Sequence, residues 1–173
     1  MTQADSADAT RTWDDAVGEI AARIAHDSFG TGPLAELRRL DPKQGAPNAP
    51  ALHRLLARYV PDDWLGGDAM HRWTLLVHLL ALAAPDQHRG GPSLGAALFA
   101  AGYSEGRLTR LLEARGAEFD VVLPRMVRFL VAKGESLNPY ELSRLVLRGG
   151  GEAERLRIAR DYYRAEAKPS DAA

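Results

Sequence analysis

Between Asp68 and Ala84 the chain reads DAMHRWTLLVHLLALAA, and apolar side chains occupy nearly every angular position of the helix that this stretch would form. A helix that is apolar all round has to be enclosed by other helices. His71, Arg72, Thr74 and His78 interrupt the run, which also falls short of the about 20 mostly apolar residues of a membrane span. The stretch is therefore expected to be the buried strut of a helical domain.

Segments of helical spacing on both sides supply its cover. Thr12 can cap a first helix that has Asp14 and Asp15 in its positive first turn and Trp13, Val17, Ile20, Ala21 and Ile24 on one face. Gly30-Thr31-Gly32 stops it, and Pro33 opens a short helix, LAELRRL, ending before Asp41-Pro42. Pro50 opens another, with Leu52, Leu55, Leu56 and Tyr59 as its stripe. Pro61-Asp62-Asp63 closes that helix, Trp64 and Leu65 are expected to tuck onto the core, and Asp68 is expected to cap the strut. Lys43–Pro50 and Pro85–Pro92 have loop chemistry.

Further on, Ser93 can cap LGAALFAAG, whose small residues allow a neighbouring helix to approach closely, and Gly102 ends it. Ser104 is placed to cap EGRLTRLLEAR, with Leu108, Leu111 and Leu112 inward and Gly116 at its stop. Ala117–Lys133 carries Val122, Leu123, Met126, Phe129 and Leu130 on its apolar side, and Pro124 is expected to kink it. Asn138-Pro139-Tyr140-Glu141 has the form of a capping box. Gly149-Gly150-Gly151 breaks the chain before EAERLRIARDYYRAE, where Leu156, Ala159 and Tyr163 form the expected inner stripe. With no alternating run long enough for a sheet, the architecture is expected to be all-α, a single bundle of about eight or nine helices. It is expected to span residues 12–167, between a disordered acidic tail at 1–11 and a disordered tail at 168–173.

Charge is unevenly placed behind a formal net value of −1. Residues 1–30 hold six acidic and two basic side chains, whereas residues 31–173 hold 17 acidic and 20 basic. Arginine supplies 19 of the 22 bases, which suits bidentate phosphate contacts but is equally what an arginine-favouring genome produces. The absence of cysteine excludes disulfides, thiolate metal sites and a cysteine nucleophile. An acidic, polar beginning does not read as a signal peptide, so a cytoplasmic location is expected.

Candidate chemistry is sparse. His71 and His78, with Asp68 one turn before His71, would be the residues of a metal-dependent hydrolase, but their seven-residue spacing is poor for a metal and suits histidines bonded to neighbours in or near the core. His26, His53 and His88 read as surface or loop residues. No nucleophile elbow, carboxylate pair or phosphate loop is found, so no catalytic residue, metal or cofactor is expected. The arginines are more informative. Arg38 and Arg39, Arg107 and Arg110, Arg125 and Arg128, and Arg144 and Arg148 form four pairs on four helices opposite their apolar stripes. Were those faces to adjoin, they would make a groove for a sugar-phosphate backbone; otherwise they are solvated faces partly balanced by Glu36, Glu113 and Glu141.

An ordered series of short motifs goes further: Leu37-Arg38-Arg39, His53-Arg54-Leu55-Leu56, Arg72-Trp73, Ser93-Leu94-Gly95 with Leu98, Ser104-Glu105 with Arg107, Arg125 with Arg128-Phe129-Leu130, Leu142-Ser143-Arg144-Leu145, and Arg157-Ile158-Ala159-Arg160-Asp161-Tyr162-Tyr163. Over about residues 33–165 the series resembles the CasB small subunit of the type I-E CRISPR Cascade complex. The resemblance implies a non-catalytic helical subunit that lies beside a second copy of itself and other Cascade subunits, contacts CRISPR guide RNA and target DNA, and stabilises the R-loop. It implies no cofactor, membrane or small-molecule substrate. Carried over residue by residue, it places Arg38, Arg39, Arg54, Arg107, Arg125, Arg128 and Arg144 on the nucleic-acid surface. Ala96, where relatives often carry arginine, puts one backbone contact in doubt, while His53, Pro124 and Pro139-Tyr140 are departures that bear on packing. A helical protein–protein adaptor is the alternative from another class.

Overall fold

A computed structural model describes residues 11–44, 48–85, 90–148 and 151–168, and among them the chain forms α-helices without strands. The helices are α1 (Trp13–Ala25), α2 (Thr31–Arg38), α3 (Pro50–Tyr59), α4 (Ala69–Ala83), α5 (Leu94–Ala100), α6 (Glu105–Glu113), α7 (Gly116–Ala132), α8 (Pro139–Leu147) and α9 (Glu152–Glu166). Single 3₁₀ turns stand at Asp27–Phe29, Pro42–Gln44 and Asp62–Trp64. The acidic tail up to Thr10, residues 45–47 and 86–89 of the two expected loops with His88, Gly149-Gly150, and the tail beyond Lys168 lie outside the described residues.

The strut is α4. Ten of its 15 residues are buried, as a helix apolar on every side requires, and α1, α2, α7 and α8 all pack against it. Trp73 is wholly buried, with the Trp13 ring 6.2 Å away, and Trp64 tucks against Trp13 at 5.7 Å. Filling this interior with leucine is worth roughly 2 kcal/mol for each side chain taken out of water. Among the described residues no helix is long and apolar enough to cross a membrane.

Small residues bring α5 and α9 together. A Cβ on Gly95 would stand 2.2 Å from the Ile158 carbonyl oxygen and 2.8 Å from the Tyr162 nitrogen, so only glycine lets the two backbones meet.

Several helix ends differ from expectation. Thr12 caps α1 in a reciprocal box with Asp15, and Ser93 accepts from the Ala96 N–H, as expected. Asp68 and Ser104 stand at cap positions, but neither side chain accepts a cap hydrogen bond. The α2 helix starts at Thr31, ahead of Pro33, because a proline in the first turn lacks only a donor that has no partner there anyway. Gly116, at φ +52°, opens α7 and does not close α6. Pro124 is buried inside α7, which runs through it from Gly116 to Ala132.

Two corrections concern packing. Asn138 caps α8 by accepting from Tyr140 N–H at 3.0 Å, but Glu141 does not reach back to complete a box: its carboxylate accepts from Leu94 N–H at the start of α5. On α9 the buried side is Glu154, Arg155, Ile158 and Tyr162, whereas Leu156 is 68% and Tyr163 43% exposed. The inner stripe is thus the one beside the expected stripe, because backbone contact with α5 sets the roll of α9.

Candidate nucleic-acid interface

Arginine side chains from α6 and α7 meet around one ring. Apolar Val122 and Leu123 turn this side of α7 inward, which leaves Arg125 exposed beside the half-buried Phe129. From α6, Arg107 lays its guanidinium 5.3 Å from the centre of the Phe129 ring, and Lys133 Nζ lies 5.9 Å from the same ring. Arg107, Arg110, Arg125, Tyr103, Val122 and Phe129 line a cleft of about 330 Å³. Arg110 donates to Glu118 at 2.9 Å in an exposed ion pair. Burial raises the Tyr103 phenol above its ordinary value against the lowering pull of Arg107 and Arg110, so its hydroxyl stays neutral.

A second cleft, about 440 Å³, opens between α1, α3 and the turn after α1. Arg23, Arg54 and Arg58 line it with Phe29, Pro33 and Tyr59, and no carboxylate is among its lining residues. Arg23 stacks on Phe29 at 5.6 Å and donates to Ser28 Oγ at 2.8 Å, and Arg58 stacks on Tyr59 at 5.5 Å.

Of the seven arginines singled out in the sequence, only Arg107 and Arg125 share a cleft. Arg54 belongs to the second one. Arg38 is an exposed residue whose guanidinium is nonetheless engaged: Nε donates to Ala81 carbonyl at 2.9 Å and a terminal nitrogen to Ala84 carbonyl at 2.6 Å, closing the C-terminus of α4. Arg39 is exposed at the end of α2, and Arg128 is exposed on α7 near His78. Arg144 is half-buried among Asp14, Asp15, Glu19 and Tyr140, a setting already rich in negative charge. The expected single groove is therefore replaced by two arginine clefts. Sequence reasoning carries Arg110 only as the helical partner of Arg107 and misses Arg23 and Arg58 as members; the spacing of Arg58 four residues after Arg54 is the signal that could have found one of them.

The histidines of the metal-hydrolase reading face different partners. His71 Nε2 lies 3.0 Å from Asp120 on α7, and His78 is buried with Nδ1 2.9 Å from the Leu37 carbonyl. Burial lowers the His78 pKa, so the ring is a neutral donor to that carbonyl. Among the described residues no three metal-ligating side chains come together.

The family described as CRISPR-associated protein Cse2 matches residues 33–163. No curated protein matches the chain. Among solved structures, a chain of E. coli Cascade bound to a PAM-containing double-stranded DNA target superposes with a TM-score of 0.68 at 20% sequence identity. The match covers 86% of this chain and 97% of that one, a likeness that speaks for the fold. Matched over most of its length, the chain belongs to the CRISPR-associated Cse2 family, also called CasB, the small subunit of type I-E Cascade.

Proposed function

We propose that this protein is a non-catalytic structural subunit of a type I-E Cascade complex that binds nucleic-acid backbone and stabilises the R-loop in antiviral defence. The carrying observation is the convergence of Arg107, Arg110 and Arg125 around Phe129, cations from two helices facing one cleft, with Glu118 as an exposed counter-ion to Arg110. Guanidinium groups so placed grip phosphates without reading bases. Base pairing between guide RNA and target DNA supplies the sequence information, and because strand exchange is nearly balanced in energy, a few backbone contacts can tip it. Its partners on this reading are other Cascade subunits, a second copy of itself, guide RNA, and the guide-target duplex and displaced strand of the target DNA, all in the cytoplasm. On this reading Arg54 and its neighbours in the second cleft, and the exposed Arg39 and Arg128, are further backbone contacts.

The test is a Cascade complex assembled with the Arg107→Glu/Arg125→Glu subunit. Target-DNA affinity falls, and the slope of log affinity against log salt flattens by about 1 for each phosphate that an arginine no longer neutralises. A stably incorporated variant with unchanged affinity and slope would falsify the assignment. An adaptor role without nucleic-acid contact is favoured only by the exposed Leu156 and Tyr163 on α9. Co-purification of short guide RNA with the subunit separates the two readings.

A further inference from the structure

Arginines line both clefts, but the rings beneath them differ. In the α6–α7 cleft Phe129 is met by two cations, Arg107 and Lys133, and the other ring, Tyr103, is 6% exposed. In the α1–α3 cleft two half-buried rings, Phe29 and Tyr59, reach the lining, and a single guanidinium lies over each. Pro33 and Leu55 complete an apolar floor. Arg54 and Arg58 are exposed and stand four residues apart on α3, so their guanidinium groups share the rim.

A phosphate by itself makes no use of such a floor. An unpaired base does, because it offers a flat face to rings and to guanidinium planes, while the phosphate attached to it comes within reach of cations at the rim. In a duplex those base faces are already covered by the neighbouring pairs. The space of about 440 Å³ is in the range of pockets that hold small ligands. With no carboxylate in the lining, nothing repels an anion. Arg23 is engaged with Ser28 Oγ at 2.8 Å, which leaves the phosphate to Arg54 and Arg58.

We infer that the α1–α3 cleft is a nucleotide subsite that takes one unpaired nucleotide, its base packed against Phe29 and Tyr59 and its phosphate held by Arg54 and Arg58. The chemistry it requires is a nucleoside phosphate with a free base. A displaced single strand supplies that chemistry, and so does a free mononucleotide. The inference rests on the nucleic-acid role proposed above for this cleft and adds which form is taken: an unpaired strand here, and any sugar-phosphate backbone at the α6–α7 cleft.

The test follows the resonances of the full-length chain while two strands of equal length are titrated in, an oligothymidylate and its abasic counterpart, which has the same phosphates and no bases. At Phe29 and Tyr59 the oligothymidylate binds about tenfold more tightly than the abasic strand, the effect of one stacked base. At Arg107 and Arg125 the two strands act alike. Phe29→Leu/Tyr59→Leu keeps the apolar bulk and abolishes the difference, whereas Arg54→Ala/Arg58→Ala weakens both strands at this cleft. Equal affinity of the two strands at Phe29 and Tyr59 in the parent overturns the subsite and leaves the backbone-binding reading intact. Failure of both strands to shift either cleft at about 1 mM overturns the two together. Thymidine monophosphate separates the sources: binding as tight as that of the strand makes a free nucleotide the ligand, and far weaker binding makes it the strand. Inorganic phosphate that shifts Phe29 and Tyr59 as far as thymidine monophosphate does overturns the subsite as well.

Discussion

Arg107 and Arg155 lie at opposite ends of α6 and have opposite fates. Arg155, from α9, is 4% exposed and donates to the carbonyls of Leu111, Leu112 and Ala114 at 3.0, 2.6 and 2.9 Å, with its guanidinium 5.1 Å from the centre of the Phe119 ring. Arg107 is exposed over Phe129. The last turn of a helix leaves carbonyls without intrahelical partners, and a guanidinium in reach becomes their donor. The first turn offers surplus N–H groups instead, which a cation cannot use. Which end of α6 an arginine meets therefore decides whether it joins the fold or faces solvent. Arg38, at the end of α4, sides with Arg155.

The largest effect comes from separating α9 from its seat. Gly95→Ala places a methyl against backbone atoms that cannot rotate away, and a destabilisation of about 3 kcal/mol is expected, at the upper end of overpacking penalties. A fall in melting temperature of about 10 °C checks it. Since Arg155 rides on α9, this variant disturbs its end of the comparison and leaves the α6–α7 cleft less affected.

A sharper cut is to remove each arginine alone. Arg155→Ala strands three carbonyls away from water and is expected to cost about 2 kcal/mol. Arg38→Ala exposes carbonyls that water can reach, and about 1 kcal/mol is expected. Arg107→Ala is expected to stay within about 0.5 kcal/mol in urea denaturation while weakening DNA binding in the assembled complex. Equal losses of stability for Arg107→Ala and Arg155→Ala would erase the distinction between the two ends.

That distinction could not be read in the sequence, although much of the fold could. Thr12, Ser93 and Asn138 act through neighbours two or three residues away and Pro50 through its own fixed φ, and their helices begin where expected. All-round apolarity of α4 is a local property too, and it was legible for the same reason. What escaped depends on residues remote in the chain. Arg38 finds its acceptors on Ala81 and Ala84, Glu141 leaves its own cap for Leu94, and α9 presents Ile158 and Tyr162 inward because Gly95 admits its backbone. In α9 the stripe of Leu156, Ala159 and Tyr163 is as apolar as the stripe that is buried, so periodicity had no means of choosing. For the site, the residue type was visible, but the partition of arginines between helix ends and open clefts required the packing.

The smallest effects expected are in the pH dependence, where buried His78 of the strut and half-buried Glu141 of α8 pull in opposite directions. His78 is held below its ordinary value, chiefly by burial and also by Arg128, against the raising influence of the Leu37 carbonyl and Asp41. The unfolded chain then takes up a proton below about pH 6.5 while the native ring stays neutral, so this contribution is full above that pH and is lost as pH falls. Glu141 is held above its ordinary value, first by burial and then by Glu154 and Asp161, although the Leu94 N–H and Arg144 oppose them. Its contribution is full below the ordinary glutamate value of about 4.3 and is lost as pH rises through the raised native value. Stability profiles should separate the two: His78→Gln flattens the decline on acidification below about pH 6.5, and Glu141→Gln, which keeps an acceptor for Leu94 N–H, flattens the decline on the rising side above about pH 4.3. Profiles of both variants parallel to the parent would mean that neither group titrates differently in the folded and unfolded chain, and that the α2–α4 and α5–α8 contacts are as wet as the open cleft of Arg107.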